Sequence, residues 1–160
     1  MRIKVIWFGR PAASPYEAQI DTYRQRVDRR WPAEDRGLRA ATGRQHTDLR
    51  RLLSMEADKV RRQVPGSWWT VALDERGKQL DSVAFARYLG DLEAAGTPGV
   101  AFCLGSDVGL DQDLCRQARL RLSLSPMTLP HLLARLCLWE QLFRATDILG
   151  SGRYHRLGVQ

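Results

Sequence analysis

Three loops carry the residues of this chain that are best suited to hold a ligand. Each follows a predicted strand: Leu73-Asp74 and the residues after it, then residues 105–109 (GSDVG), then residues 125–130 (SPMTLP). In an open parallel sheet, loops at the carboxyl ends of the strands converge on one crevice. Glycines let backbone approach a ligand closely, and two prolines in six residues make the third loop rigid. We therefore predict a backbone-lined pocket, although each glycine taken alone is more simply explained as a turn.

The last residues of the chain combine side chains that suit RNA. Tyr154 offers an aromatic face for stacking, the imidazole of His155 titrates near neutrality, and the guanidinium group of Arg156 can bind phosphate. A frayed chain end is the alternative explanation for these three residues. Arg144 lies in an otherwise apolar predicted helix, so its charge needs a partner or a ligand unless its long stem reaches solvent.

The net positive charge of the chain indicates a polyanionic partner. The net charge is +7 and the isoelectric point is near 9.9. Residues 24–62 hold twelve basic and six acidic side chains, which accounts for nearly all of that excess. Most of these basic residues are arginines, whose planar guanidinium groups are suited to bind phosphate. Nucleic acid is the leading interpretation, with an anionic membrane surface or a merely solvated basic face as alternatives.

Metal chemistry and a membrane span are not expected. The chain has no GxGxxG, P-loop, HExxH or GxSxG motif, and its histidines are dispersed: they are His46, His131 and His155. No apolar stretch reaches the roughly 18–20 residues that span a bilayer. The odd cysteine count, without a CxxC pair, fits a reducing cytosol and predicts a cytoplasmic protein, with Cys103 and Cys137 as small core residues.

Strand and helix patterns alternate along the chain. We predict strands over residues 3–8, 68–73, 100–104 and 120–124, and helices over 14–27, from Thr47 to the Pro65-Gly66 stop, 82–95, 113–119 and 131–149. Residues 28–41 are poorly defined and possibly extended, and residues 74–77 (DERG) read as a turn. Ser14 and Glu17 are predicted to form a capping box at the start of the first helix. The alternation predicts a single α/β domain over residues 1–160 with a mostly parallel sheet.

The last predicted helix is apolar almost all round from Leu132 to Leu149. Such a helix must be buried in its own fold or against another chain. We therefore expect a ligand site beside a subunit interface.

At the level of motifs, the chain resembles the RlmH family of SPOUT-class methyltransferases, which modify a pseudouridine of large-subunit ribosomal RNA. The resemblance covers nearly the whole chain and is strongest in VALDERGKQLDS, FCLGSDVGL, LSLSPMTLPHLLARLCLWEQLFRA and the terminal YHR. It implies a parallel α/β sheet with a C-terminal trefoil knot, a homodimer, and methylation of N3 of a 23S pseudouridine on the assembled ribosome.

The resemblance also implies S-adenosylmethionine as the cofactor. Carried onto this sequence, the cofactor pocket consists of Leu73, Gly105, Ser106, Ser125, Pro126, Met127, Thr128, Leu129 and Pro130. The substrate-side residues are Arg144, Tyr154, His155 and Arg156, with His155 as the candidate base.

This chain departs from the family pattern at three places. Gly105-Ser106 stands where Gly-Gly is common, Val108 replaces an acidic or polar residue, and ATGRQHT replaces a lysine-rich loop. Ser106 would either narrow the cofactor pocket or add a hydroxyl contact. Two alternatives remain open: a SPOUT enzyme acting on another RNA such as tRNA, and a non-catalytic protein that binds RNA or the ribosome.

Overall fold

The computed structural model describes residues 1–10, 14–41, 48–150 and 152. Strands and helices alternate through them as β1 (Arg2–Phe8), α1 (Glu17–Asp28), β2 (Ala33–Leu38), α2 (Leu49–Arg61), β3 (Trp69–Gln79), α3 (Ser82–Ala94), β4 (Gly99–Cys103), α4 (Gln112–Gln117), β5 (Leu120–Ser123) and α5 (His131–Leu149).

The five strands form one parallel sheet in the order β2-β1-β4-β3-β5. All five residues of β4 are buried, because this central strand is covered on both faces. Continuous apolar runs are typical of such strands. The α/β class with a parallel sheet, predicted from the alternation of elements, is confirmed.

Helices cover both faces of the sheet. On one face Val5 and Trp7 of β1 join a core with α1, α3 and α5. On the other face Ile6 and Phe8 pack with α2 and α4. Successive side chains of a strand point to opposite faces, so the short run in β1 supplies both cores. The strand ends at which the predicted loops begin are therefore held rigidly between two helical layers.

Helix α5 packs one face against its own chain. Leu138, Trp139, Leu142 and Ala145 are buried on that face, against α1 and α3. Most of its other residues are only half-buried, and they include Cys137, which was predicted as a core residue. Cys103 is fully buried, as predicted.

The start of the chain differs from the sequence prediction in two respects. The capping box is wrong: α1 begins at Glu17 after Tyr16 without a side-chain cap, and the Ser14 hydroxyl accepts from the Tyr16 amide instead. The Glu17 carboxylate is bonded to Arg135 of α5. The segment left undefined contains β2, an edge strand parallel to β1. Helix α2 is capped by Asp48, and the predicted start at Thr47 lies outside the described residues.

The predicted turn at residues 74–77 is also wrong, because β3 continues to Gln79. Its pairing with β5 shifts register there: Leu73 and Lys78 both pair with Leu122. The residues between them bulge out of the ladder, and the strand then resumes. Gly77 lies against the β5 backbone, where a Cβ would come within 2.6 Å of the Arg121 carbonyl oxygen. Turn-like composition thus marks a bulge inside a long strand.

Candidate ligand pocket

The three predicted loops meet at the carboxyl edge of the sheet around a cavity of about 570 Å³. The start of α5, with His131 and Ala134, completes its wall. Of the nine residues that the resemblance assigns to a cofactor, eight line the cavity: Leu73, Gly105, Ser106, Ser125, Met127, Thr128, Leu129 and Pro130. Pro126 belongs to the same loop but is not among the lining residues. The volume is within the usual range for small-molecule sites.

The loop after β4 is a tight turn that needs glycine at two positions. The Ser106 carbonyl accepts a 2.9 Å hydrogen bond from the Gly109 amide. Gly109 has a φ of +85°, in the left-handed region that favours glycine. A Cβ on Gly105 would overlap the Gly109 carbonyl group and lie 2.7 Å from the Leu110 nitrogen. The turn therefore presents bare backbone to the cavity because no side chain fits at residue 105.

The loop after β5 is held by its own hydroxyl groups. Ser123 donates to the Ser125 carbonyl at 2.8 Å, and the Ser125 hydroxyl accepts from the Met127 amide at 2.9 Å. Pro130 is the N-cap of α5. Met127 is 73% exposed, so its apolar side chain stands at the mouth of the cavity without burial by this chain.

Two side-chain hydrogen bonds join loops that are distant in sequence. Thr128 donates to the Glu75 carboxylate at 2.6 Å, and His131 Nδ1 lies 2.7 Å from Asp107 Oδ1. The first bond links β3 to the loop after β5, and the second links the β4 turn to α5. The predicted loops included Glu75 and Asp107, but sequence reasoning gave neither of them a role and did not assign His131 to the site. Their position after predicted strands was the available signal.

Asp74 fixes the end of the first loop. Its carboxylate pairs with Arg121 at 2.8 Å and accepts from the Arg76 amide at 2.8 Å. Burial by itself would raise the pKa of Asp74, but these bonds from Arg76 and Arg121 outweigh it, and the pKa is lowered from 3.8. The Cys115 thiol contacts the same carboxylate, and burial raises the pKa of Cys115 to about 11. That thiol stays protonated at neutral pH.

We expect Asp74→Asn to lower the free energy of unfolding at pH 7 by about 1–2 kcal/mol, because it removes charge-assisted hydrogen bonds. A carboxylate whose pKa is lower in the folded state stabilises the fold above the unfolded value of 3.8. That stabilisation disappears as pH falls through the folded pKa. Urea unfolding from pH 7 to pH 3 should therefore show the two proteins converging in acid. If the difference in the free energy of unfolding between the two proteins stayed constant with pH, the lowered pKa of Asp74 would be contradicted.

The predicted substrate-side residues are only partly described. Arg144 pairs with Glu140 one turn earlier on α5, with Nη2 2.6 Å from Oε1, and both side chains are 19% exposed. The partner that its charge requires is thus supplied by its own helix. Tyr154, His155 and Arg156 lie outside the described residues.

Within residues 1–10, 14–41, 48–150 and 152, no group of three or more His, Cys, Asp or Glu side chains is arranged to hold a metal ion. Over the same residues, none of the helices has the length and apolarity needed to cross a bilayer.

A family model described as predicted SPOUT methyltransferase matches residues 1–155. This chain belongs to the SPOUT methyltransferase family. Proteins named ribosomal RNA large subunit methyltransferase H are similar to it over almost their full length. The one from Dinoroseobacter shibae is 40% identical over 98% of this chain and 100% of the relative. Those from Rhodospirillum centenum and Pelobacter propionicus are 38% and 34% identical over 98% and 97% of this chain and 99% of each relative.

A solved structure of a methylase family protein from Neisseria gonorrhoeae is similar in fold. The TM-score is 0.53 at 15% identity, over 91% of this chain and 83% of that one. The identity is too low to show more than a shared fold. Membership of the SPOUT methyltransferase family confirms the resemblance read from the LDERGK, LGSDVGL and SPMTLPH segments.

Proposed function

We propose that this chain methylates large-subunit ribosomal RNA, at N3 of a pseudouridine in 23S rRNA of the assembled ribosome. The observation that carries the proposal is the convergence of the family's three motif loops on one cavity at the carboxyl edge of the sheet. The names of the full-length relatives support the RNA class. With ribosomes as the substrate, the proposed location is the cytoplasm.

S-adenosylmethionine is the proposed cofactor, and its sulfonium group supplies the methyl when it is bound. The residues present fit it: the turn of residues 105–109, closed by the contact of Gly105 with the Gly109 backbone, borders a cavity that has the size of a small-molecule site. Leu73, the Gly105-Ser106 turn and residues 125–130 would hold it, largely through backbone groups. The loop after β5, held by the Ser123 and Ser125 hydroxyl groups, would help to position the bound cofactor.

N3–H of a pseudouridine is a weak acid, so transfer requires either a base or stabilisation of the anion as it forms. His155 is the proposed base. Arg156 or Arg144 would stabilise the anion or bind phosphate, and the Tyr154 ring would stack on a nucleobase of the RNA. Much of the rate would come from holding the methyl carbon and N3 in near-attack geometry.

We expect His155→Ala to slow single-turnover methyl transfer while leaving cofactor binding unchanged, because His155 would act on the RNA rather than on the cofactor. Rapid-quench measurement with ribosomes that lack the modification gives the rate, and calorimetry gives the affinity for S-adenosylhomocysteine. A variant with the full single-turnover rate would remove His155 from the mechanism.

The proposal extends to the finer architecture of the family. We propose that the chain after β5 is threaded as a trefoil knot, as the resemblance to the family implies. We also propose a homodimer that covers the half-buried residues of α5, such as Leu133 and Cys137. Light scattering on the purified protein would measure its mass, about 36 kDa for two chains of 18.2 kDa.

Recognition of the ribosome would depend on phosphate contacts from the basic residues 24–62. Several arginines there are exposed, among them Arg29, Arg36, Arg50, Arg51 and Arg62. A domain of this size offers little surface for reading RNA sequence, so the shape of the assembled ribosome would supply most of the specificity.

Binding to ribosomes should therefore weaken by about tenfold or more between about 50 and 200 mM salt, because each phosphate contact releases counterions. Sedimentation of the protein with ribosomes at several salt concentrations measures this slope. A flat salt profile would contradict a phosphate-binding role for residues 24–62.

The decisive test supplies labelled S-adenosylmethionine and ribosomes that lack the modification, followed by nuclease digestion and mass spectrometry. Label on N3 of one large-subunit pseudouridine would establish the proposal. Label on deproteinised tRNA would favour another RNA target for the same family. Absence of label, with an active control enzyme on the same ribosomes, would favour a non-catalytic RNA-binding or ribosome-binding protein.

A further inference from the structure

Glu56 is a buried carboxylate in α2 that has no part in the proposed reaction. Its side chain lies in the interior, with 5% of the residue exposed. Oε2 accepts a 2.8 Å hydrogen bond from the Ser106 hydroxyl, and Oε1 accepts a 3.0 Å hydrogen bond from the Ala41 amide. Burying a carboxylate is costly unless such bonds satisfy it. One carboxylate thus joins two segments that are far apart in the sequence.

The first segment is the turn that lines the proposed cofactor pocket. A serine hydroxyl has one hydrogen to donate, and Ser106 donates it to Glu56. Ser106 therefore cannot donate to a ligand while this bond is intact. Its side chain ties the turn to α2, and the turn itself is fixed by the close approach of Gly105 to Gly109.

The second segment leads into the basic region. Ala41 follows β2, and Lys59 of α2 donates to the neighbouring Arg39 carbonyl at 2.8 Å. Glu56 and Lys59 thus fasten residues 39–41 to the helix that presents Arg50, Arg51 and Arg62 to solvent. Among the side-chain hydrogen bonds of the described residues, Glu56 links the turn directly to this segment, because one of its oxygens bonds to Ser106 and the other to Ala41.

We propose that Glu56 is a positioning residue that couples binding of the cofactor at the Ser106 turn to binding of RNA by the basic segment. The inference rests on the proposed function, because it assumes a cofactor in the pocket and RNA on α2. Coupling between two sites is reciprocal: a cofactor that stabilises the turn strengthens RNA binding by the same factor that RNA strengthens cofactor binding.

The test measures the dissociation constant of S-adenosylhomocysteine with and without ribosomes that lack the modification. For the wild-type protein, we expect the ratio of the constant without ribosomes to the constant with ribosomes to be about five or more, at the lower end of typical coupling. Glu56→Gln keeps the shape of the side chain but replaces one acceptor oxygen by a donor, and the ratio should fall to about one. Ser106→Ala removes the same link from the other side and should lower the ratio equally, without adding to the effect of Glu56→Gln.

Ser82→Ala is the matched control for Ser106→Ala. The Ser82 hydroxyl also donates to a side-chain oxygen, that of Gln141 at 2.7 Å, but this bond joins α3 to α5, away from the turn and from residues 24–62. This variant should lose stability while keeping the wild-type ratio. A ratio of one in the wild-type protein, or ratios in Glu56→Gln and Ser106→Ala equal to wild type, would overturn the coupling while leaving the proposed function intact. Failure of the wild-type protein to bind S-adenosylhomocysteine at all would instead overturn the proposed function, and the coupling with it.

Discussion

Replacing Arg135 by methionine will lower the free energy of unfolding by about 3–5 kcal/mol, because it leaves a buried carboxylate without its partner. The Arg135 side chain is fully buried in α5. It lies 2.6 Å from Asp35 of β2 and 2.9 Å from Glu17 of α1, and its guanidinium stacks 3.8 Å from the centre of the Trp7 ring. The Asp35 side chain is 9% exposed.

Two indole groups still donate to Asp35 in this variant, but they do not replace the positive charge of Arg135. Trp7 and Trp139 both donate to this carboxylate, at 2.8 and 2.7 Å. Methionine can fill part of the arginine volume, but it supplies neither charge nor donors. The network connects the first two strands and the first helix with the last helix, so its loss loosens the layer that holds α5 and the adjoining wall of the pocket.

Urea unfolding at pH 7 measures this effect. Arg24→Met is the control, because Arg24 forms an exposed ion pair with Asp21 on the surface of α1 and should cost less than about 1 kcal/mol. Adding Asp35→Asn to Arg135→Met should cost less than the sum of the two single changes, since both disrupt one network. An Arg135→Met protein within 1 kcal/mol of wild type would show that the ion pairs do not stabilise the fold.

Gly105→Ala will reduce methyl transfer by about 100-fold or more, the size expected when a positioning element moves by about an ångström. A Cβ at this position overlaps the Gly109 carbonyl group, which is backbone and cannot rotate away. The turn must open, and the backbone that lines the cavity moves with it. We expect binding of S-adenosylhomocysteine to weaken together with the rate.

Gly66→Ala is the matched control, because a Cβ there meets nothing within 4 Å. It should leave both the affinity and the transfer rate unchanged. Circular dichroism would show whether Gly105→Ala retains the fold. If folded Gly105→Ala protein binds S-adenosylhomocysteine as tightly as wild type, the turn after β4 is not part of the cofactor site.

The class of the fold and the position of the pocket could be predicted from local sequence patterns. Apolar runs such as VAFCL, alternating with helical spacing, indicate strands covered on both faces, and a parallel sheet brings its carboxyl ends to one edge. The loops at Leu73, Gly105 and Ser125 could therefore be placed together before the fold was known. Their recurrence in a known family then connected the pocket with a methyl donor and RNA.

The pairing of polar groups that are distant in the sequence could not be predicted and is seen in the folded chain. Arg135 and Glu17 are 118 residues apart, and neither the helix spacing of α5 nor the start of α1 indicates that they pair. Local reasoning assigned Glu17 to a capping box and residues 74–77 to a turn, because it assesses only neighbours in sequence. The partners of Arg135, Glu56 and Gly77 depend on which elements the sheet order β2-β1-β4-β3-β5 places side by side. That order is set by the packing of the whole chain, since a strand's own pattern records which faces are buried but not which strand lies beside it.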